Sequence, residues 1–267
     1  MTKFNLKARI LYNKEIRPDI FLMKVIAPAI ASSAKPGQFC MLSPHKFEEL
    51  DPLLRRPLSI HNVLSETGEV EFLYRVIGRG TKILSSLDVG DNILILGPLG
   101  NGFSMFNKQI PVLVGGGLGV APLLFLARSL KGQKAVAILG AVTKNQLLRL
   151  DAFRQTDLEI LVATEDGSFG NEGLVTEVLD RLLSNLDEDS RKKVCVFACG
   201  PMPMLRAVWH LCVLYKSRCQ VSLETHMACG TGLCLGCAMH GTSGYVHVCK
   251  EGPCFDGKEI NWDKINF

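Results

Sequence analysis

Residues 112–130 read VLVGGGLGVAPLLFLARSL, which is an apolar run, a glycine turn and a second apolar run. The turn contains four glycines: Gly115, Gly116, Gly117 and Gly119. Backbone amides at the start of the following helix can receive a pyrophosphate, and Pro122 suits a first helical turn. The run lacks a full G-x-G-x-x-G with a ribose-binding acid about twenty residues later. An ordinary strand–helix connection is therefore the alternative interpretation.

The same alternation of strand, turn and helix recurs over residues 105–217. Four near-continuous apolar runs suit parallel strands covered on both faces: IPVLVG, AVAILG, LEILVAT and VCVFACG. Between them lie segments with apolar residues three and four apart, which is typical of helices. This alternation predicts a doubly wound parallel α/β domain over residues 105–217.

Cys199, Gly200 and Pro201 end the last of these predicted strands. Ligands of such sheets bind outside the carboxyl ends of the strands. The position therefore fits a nicotinamide nucleotide, with Cys199 as a candidate catalytic thiol beside the ring. A buried structural cysteine fits the same position.

Residues 1–104 show a different pattern of apolar runs and turns. Short β-prone runs such as IFLMKVIA, VEFLYRVI and NILILG recur between turns rich in glycine, proline and aspartate. This spacing predicts a small antiparallel barrel or sandwich, with a hairpin around residues 65–68.

Two adjacent arginines, Arg55 and Arg56, lie in this region within an apolar, strand-like run. Arg75 and the segment Gly78-Arg79-Gly80-Thr81 follow downstream. Guanidinium groups, glycine amides and a hydroxyl together fit a phosphate clamp. A solvated sheet edge is the alternative.

The segment from residue 218 to residue 267 is rich in cysteine. Four of its cysteines follow the pattern C-x4-C-x2-C-x11-C: Cys229, Cys234, Cys237 and Cys249. This spacing is that of plant-type [2Fe–2S] ligation, and the intervening glycines allow the backbone to wrap a cluster closely. A zinc site and a disulfide are weaker alternatives, because three cysteines share one loop and the fourth lies alone. Cys254 competes with Cys249 as fourth ligand, and Cys249 is favoured because it ends a β-prone run.

Composition limits the remaining function classes. The chain has 267 residues, of which 47% are hydrophobic, so a globular protein is expected. The net charge of +4 is spread along the chain, so no nucleic-acid partner is expected. We find no apolar leader and no run long enough to span a bilayer, so a cytoplasmic protein without a membrane partner is expected. In a reducing compartment, cysteines are expected to be thiols or metal ligands.

The order of these motifs resembles the ferredoxin-reductase superfamily of flavoproteins. With the cysteine segment, nearly the whole chain is similar to the electron-transfer subunits of NAD-linked heteromeric dihydroorotate dehydrogenases. The resemblance implies an α+β multi-domain protein: an antiparallel FAD-binding barrel (residues 1–104), an NAD-binding α/β domain (105–217) and a small [2Fe–2S] module (218–267).

The resemblance also implies roles for individual residues. FAD would be held by three short segments: Arg56, Pro57, Leu58 and Ser59; Leu73, Tyr74 and Arg75; Gly80 and Thr81. The glycine turn, Gly200 and Pro201 would flank NAD, and the four spaced cysteines would ligate the cluster. Cys254 departs from the apolar residue that relatives carry there.

The implied activity is electron transfer in pyrimidine biosynthesis. An FMN-containing catalytic subunit would oxidise dihydroorotate, and its electrons would pass through the cluster and FAD to NAD⁺, in a heterotetramer of two plus two subunits. The sequence leaves two other hypotheses open: a reductase subunit of another complex, such as a sulfide dehydrogenase or a ferredoxin-linked transhydrogenase, and a zinc-stabilised nucleotide-binding regulator.

Overall fold

The computed structural model describes residues 2–44, 51–106 and 108–265. Within them the chain forms a closed barrel, a seven-stranded sheet with helices on both faces, and a two-stranded hairpin near the C-terminus.

The barrel is antiparallel and closes in the order β1-β2-β5-β4-β3-β6. Its strands are β1 (Phe4–Arg17), β2 (Ile20–Ile26), β3 (Phe39–Leu42), β4 (Arg56–Leu64), β5 (Glu69–Arg75) and β6 (Asn92–Leu99). Two short helices, α1 (Pro28–Ala31) and α2 (Arg79–Ser85), lie in its connections. The predicted hairpin at residues 65–68 is confirmed, because β4 and β5 pair on either side of it.

The large sheet has the order β10-β9-β8-β7-β11-β12-β15 and is parallel except for β15. Its strands are β7 (Ile110–Gly116), β8 (Val136–Ala141), β9 (Glu159–Thr164), β10 (Asn171–Glu172), β11 (Val194–Cys199), β12 (Arg218–Ser222) and β15 (Cys254–Asp256). Its helices are α3 (Leu123–Ser129), α4 (Leu150–Arg154), α5 (Val175–Ser184), α6 (Glu188–Lys193) and α7 (Met202–Leu214).

Both faces of this sheet are covered, as the apolar strands require. Val112 and Val114 of β7 belong to a core cluster that includes residues of α5 and α7. Leu113, which points to the opposite face, belongs to a second cluster with residues of α3 and α4. The predicted combination of an antiparallel barrel and a doubly wound sheet is therefore confirmed.

Local details differ from the sequence expectation. The helix-like segment between β8 and β9, residues 145–154, forms a helix only over α4, because a 3₁₀ turn at Lys144–Gln146 and a left-handed Arg149 precede it. The strand β15 comes from the cysteine-rich segment, pairs antiparallel with β12 and forms the edge of the sheet. The cysteine-rich segment is therefore joined to the sheet rather than tethered beside it.

The rest of the C-terminal segment packs between the sheet and the barrel. It forms a hairpin of β13 (Ala238–Gly241) and β14 (Gly244–His247). The Asn101 amide donates to the Gly252 carbonyl at 2.6 Å, which fixes the segment to the loop after β6. Among the described residues, no helix is both long and apolar enough to cross a membrane.

Candidate functional site

The four spaced cysteines occupy two segments: Cys229, Cys234 and Cys237 lie in the loop after residue 228, and Cys249 lies in the turn after β14, where it contacts Cys237. The Sγ atoms of Cys237 and Cys249 are 3.3 Å apart. The Cys234 amide donates to the Cys229 sulfur at 3.4 Å, and the Gly232 amide donates to the Cys249 sulfur at 3.1 Å. Cys249 lies two residues beyond β14, so the expectation that it ends the strand was wrong by that margin. We call residues 229–237, together with Cys249, the cluster loop.

Glycine makes the tight path of the cluster loop accessible. Gly230 and Gly232 have φ of 68° and 86°, in the left-handed region that side chains rarely adopt. A Cβ at Gly230 would lie 2.5 Å from the side chain of Met41, so only glycine lets the loop approach strand β3. The loop is therefore seated directly on the barrel.

Amide hydrogen bonds stabilise the thiolate form of Cys229. Burial opposes ionisation of Cys229, but the amides of Thr231 and Cys234 outweigh it and lower its pKa to about 5. Burial and the neighbouring Cys237 raise the pKa of Cys249 to about 12. Within the described residues, no three His, Cys, Asp or Glu side chains converge tightly enough for a single metal ion. A two-iron cluster with four cysteine ligands needs only two thiolates on each iron.

Cys254 lies away from the cluster loop. Its thiol is buried against the barrel connection, with its Sγ 3.6 Å from the carbonyl oxygen of Gly37. The structure brings Cys249, and not Cys254, beside Cys237 and Cys229. Four further cysteines are buried, as expected for core residues: Cys40, Cys195, Cys212 and Cys219.

Strand β4 presents the arginine segment along an uncovered face. The four residues Arg56–Ser59 are all half-buried, although a barrel strand normally alternates between buried and exposed residues. The Nη1 atom of Arg55 is buried without a partner among the described residues. A Cβ at Gly80 would lie 2.2 Å from the Arg56 guanidinium, so this glycine leaves space that the guanidinium fills. These features fit a bound anionic group.

The other predicted flavin residues differ in their accessibility. Tyr74 is buried in the barrel, where its hydroxyl lies 3.0 Å from Oδ1 of Asn13, while Arg75 is exposed. Leu73 packs on the opposite side, in the core shared with α3. The Thr81 hydroxyl accepts hydrogen bonds from the amides of Ile77 and Gly78, so it caps helix α2. Because its side chain is buried, Tyr74 offers only its backbone to a ligand.

The glycine turn and the Cys199-Gly200-Pro201 segment meet at the carboxyl edge of the sheet. Gly117 has φ of 54° and starts a 3₁₀ turn over Gly117–Val120. A Cβ at Gly119 would lie 2.1 Å from the Cys199 carbonyl oxygen, so any side chain there would separate the two segments. Pro122 directly precedes α3, in agreement with its predicted place in a first helical turn.

Cys199 is buried, and burial, together with the nearby carboxylate of Glu224, raises its pKa well above the usual range. The residue Glu224 is exposed, but protein lies on most sides of its carboxylate. The resulting loss of hydration raises its pKa as well. Cys199 is therefore a neutral thiol at the cleft, not a nucleophilic thiolate.

Comparison with known families agrees with this arrangement. Residues 224–261 match the family model described as the iron-sulfur cluster binding domain of dihydroorotate dehydrogenase B. Residues 113–210 match the oxidoreductase NAD-binding domain. A protein of Caldanaerobacter subterraneus subsp. tengcongensis is 37% identical, over 97% of this chain and 99% of its own. A protein of Desulforamulus reducens is 38% identical, over 96% and 98%. Both are named dihydroorotate dehydrogenase B (NAD(+)), electron transfer subunit.

The chain belongs to this family of electron transfer subunits. The resemblance inferred from the sequence is thereby confirmed, and so is the assignment to the oxidoreductases.

Solved structures also resemble this member of the dihydroorotate dehydrogenase B family. The structure of an NADH-dependent reduced ferredoxin-NADP oxidoreductase has a TM-score of 0.84 and 33% identity, covering 96% of this chain and 90% of that one. The ferredoxin reductase of carbazole 1,9a-dioxygenase has a TM-score of 0.67 at 21% identity, which shows a shared fold.

Sequence reasoning missed two parts of this family member's site. Glu224 follows β12 without a motif around it, and only its place after a parallel strand could have drawn attention to it. His61 and Arg149 are 88 positions apart in the sequence, yet Nε of Arg149 lies 3.0 Å from Nε2 of His61. No spacing pattern could have shown that contact.

Proposed function

We propose that this chain carries electrons from a dihydroorotate-oxidising partner through a [2Fe–2S] cluster and FAD to NAD⁺. The family to which it belongs supports this proposal, and one structural observation carries it. Strand β4 touches both ends of the path. Pro57 pairs with Met41, against which Gly230 of the cluster loop packs, and His61 contacts Ala121 behind the glycine turn. The proposed flavin strand therefore lies between the proposed cluster and the proposed nucleotide.

The cluster ligands are Cys229, Cys234, Cys237 and Cys249, assigned in pairs. The short distance between the sulfurs of Cys237 and Cys249 supports placing this pair on one iron. The amide of Cys234 on the sulfur of Cys229 supports placing the other pair together. Amide donors on the sulfurs stabilise an anionic centre and tune its potential.

FAD is held by the face of strand β4 with its neighbours. Arg56 and Arg75 provide guanidinium groups for phosphate or ring oxygens. Pro57, Leu58 and Ser59 of β4, together with the backbone of Leu73 and Tyr74, would contact the flavin, and Gly80 and Thr81 shape the turn beside Arg56. When bound, FAD exchanges electrons singly with an iron–sulfur centre and in pairs with nicotinamide.

NAD is received at the carboxyl edge of the large sheet. The amides of the glycine turn, from Gly115 to Gly119, would donate hydrogen bonds to the pyrophosphate at the start of α3. Gly200 and Pro201 border the nicotinamide, and the neutral thiol of Cys199 is buried in the sheet edge behind them. The protein itself would orient the two rings and exclude water. Electron transfer between them requires no acid–base pair.

The partner is an FMN-containing catalytic subunit in an assembly of two plus two. Support comes from the side chains around the exposed Cys234. Leu233 and Leu235 are 85% and 57% exposed on either side of it. Two large apolar side chains in water beside a redox centre fit a docking surface for an electron donor. All ten cysteines are free thiols, which fits a cytoplasmic location.

The test is reconstitution with the FMN partner. Co-expressed and purified anaerobically, the complex is expected to reduce NAD⁺ with dihydroorotate and to contain FMN, FAD, iron and acid-labile sulfide. The isolated chain is expected to oxidise NADH with ferricyanide but to ignore dihydroorotate. A complex that contains all cofactors yet does not react with dihydroorotate would contradict the proposed partner.

A second candidate is a reductase subunit of another complex, such as a ferredoxin-linked transhydrogenase. The solved structure with a TM-score of 0.84 is named as an NADH-dependent reduced ferredoxin-NADP oxidoreductase, and this similarity favours the candidate over a zinc-stabilised regulator. The same purified material separates the two reductases, since the alternative predicts NADH-dependent turnover with ferredoxin and none with dihydroorotate.

A further inference from the structure

His61 belongs to strand β4 but leaves its regular pairing. The β4–β5 register passes from Ile60 opposite Phe72 to Asn62 opposite Glu71, so His61 is the additional residue of a β-bulge. A bulge re-aims a side chain and is common beside active sites. The His61 imidazole is completely buried.

Both ring nitrogens of His61 contact the nucleotide-binding domain. Nδ1 lies 2.7 Å from the carbonyl oxygen of Ala121, and Nε2 lies 3.0 Å from Nε of Arg149. A carbonyl only accepts and a guanidinium only donates. The two neighbours therefore fix one state of the imidazole: neutral, with its proton on Nδ1.

The backbone of Arg149 indicates that this contact is built rather than incidental. Arg149 has φ of 58° and ψ of 18°, a left-handed conformation that is unfavourable for a residue with a side chain. Glycine or asparagine would adopt it more easily. An arginine in this conformation turns its guanidinium inward, where burial lowers its pKa and His61 accepts its hydrogen bond.

The elements joined by this bridge are those that must be aligned for hydride transfer. Ala121 follows the glycine turn and precedes α3, which packs against β4. Arg149 starts α4, beyond the next strand of the sheet. His61 thus ties one strand of the barrel to two loops at the carboxyl edge of the sheet.

We infer that His61 is a positioning residue that sets the separation between the flavin strand β4 and the glycine turn. The inference rests on the proposed function, since it assigns FAD to β4 and NAD to the turn. Hydride transfer requires reacting atoms about 3–3.5 Å apart, and a displacement of 1 Å can cost about 100-fold in rate. A rigid hydrogen-bonded bridge between the strand that would hold FAD and the turn that would hold the pyrophosphate of NAD limits variation in that distance.

The first measurement is made on the imidazole itself. Burial lowers the pKa of His61 to about 3, against the hydrogen bond to Ala121 and with the help of the cations Arg149 and Arg128. In ¹⁵N-labelled protein, long-range proton–nitrogen spectra are expected to show one neutral histidine with its proton on Nδ1 from pH 6 to pH 8. Arg149→Met is expected to shift its Nε2 resonance. A proton on Nε2, or titration near pH 6.5, would overturn the inference whatever the protein's function.

The second measurement separates positioning from simple folding. His61→Leu removes both hydrogen bonds, whereas His61→Gln keeps one donor and one acceptor. At saturating NADH, the rate of FAD reduction is expected to fall about 10-fold in the leucine variant and to stay within about 3-fold in the glutamine variant. KM for NADH, FAD content and the cluster signal are expected to change little. Arg149→Met, which keeps the histidine, provides the same test if the leucine variant does not fold.

Two outcomes would contradict the inference: equal rates in the leucine variant and the wild type, or equal losses in the leucine and glutamine variants. Failure of the proposed function looks different, because NADH would then not reduce FAD in the wild type either. In that case the spectroscopic result on His61 would still stand on its own.

Discussion

The cysteines of the cluster loop and those at the sheet edge are close in sequence but have opposite surroundings. In the cluster loop, backbone amides point at the sulfurs of Cys229 and Cys249, and Cys234 reaches solvent. At the sheet edge, Cys199 and Cys254 flank Ser222 on adjacent strands, both buried, and burial raises their pKa values. In the cluster loop the amide donors lower the pKa of Cys229 to about 5, although burial and Cys237 raise that of Cys249, whereas at the sheet edge burial keeps both thiols neutral. The cluster loop is thus suited to ligation and single-electron transfer, and the sheet edge to binding a nucleotide.

The largest expected effect tests this contrast directly. Cys249→Ser removes a proposed ligand, and we expect loss of the cluster and at least a 10- to 100-fold loss of dihydroorotate-dependent NAD⁺ reduction, because even outer-shell partners of metal sites have effects of that size. Iron, acid-labile sulfide and the paramagnetic spectrum after dithionite treatment measure it. NADH oxidation with ferricyanide should persist, since it uses only the sheet edge and FAD.

Cys254→Ser is the matched control, five residues along the chain. We expect it to retain iron, sulfide and at least half of the wild-type activity, because its thiol lies beside Gly37 rather than in the cluster loop. A variant at Cys254 that lost the cluster, with Cys249→Ser intact, would reverse the ligand assignment.

The opposite end of the path is tested at Gly119. An alanine Cβ there would lie 2.1 Å from the Cys199 carbonyl oxygen, so the glycine turn must move away from the sheet edge. We expect NADH-driven FAD reduction to fall on the order of 10- to 100-fold, while the cluster spectrum is unchanged. Stopped-flow absorbance at the flavin band measures the rate. Loss of the cluster in this variant would mean that the two regions are not independent.

The flavin strand between them is tested by a pair of glycines. Gly80→Ala would bring a Cβ to 2.2 Å from the Arg56 guanidinium, whereas the Cβ of Gly78→Ala meets nothing within 4 Å. The Arg56 guanidinium must move aside, and overpacking costs about 1–3 kcal/mol, so we expect at least about 5-fold weaker FAD binding at Gly80 and little change at Gly78. Titration of deflavinated protein with FAD measures both. Equal affinities in the two variants would place FAD elsewhere.

The sequence predicted most of the architecture because its signals are local. The strands β7, β8, β9 and β11 largely coincide with compact apolar runs, and a glycine follows directly where β7 ends, whereas β10 and β12 lie outside the four runs. The cysteine spacing likewise predicts a loop in which four sulfurs meet, because three of them lie within nine residues. Such features depend on neighbours in sequence and need no tertiary information.

The sequence could not predict what depends on distant contacts. Cys254 and Cys249 look equivalent until β15 pairs with β12 and carries Cys254 towards Gly37. The bridge from His61 to Arg149 exists only because a bulge and a left-handed residue bring two domains together. The domain boundaries at residues 104 and 217 and the individual roles of the site residues stay predictions.

The smallest expected effect concerns a buried thiol that takes part in neither region. Cys40 is fully buried in the barrel, and burial raises its pKa above the usual value of 9.0. The unfolded chain therefore releases this proton more readily than the folded protein, so the thiol's contribution to stability is complete below pH 9 and is lost as pH rises above it. Between pH 8 and pH 10 that loss amounts to about 1 kcal/mol. Cys40→Ala lacks the thiol, so its destabilisation relative to the wild type, measured by urea unfolding, should shrink by about that amount over the same range. A difference that stayed constant with pH would show that the thiol is less shielded than its position indicates.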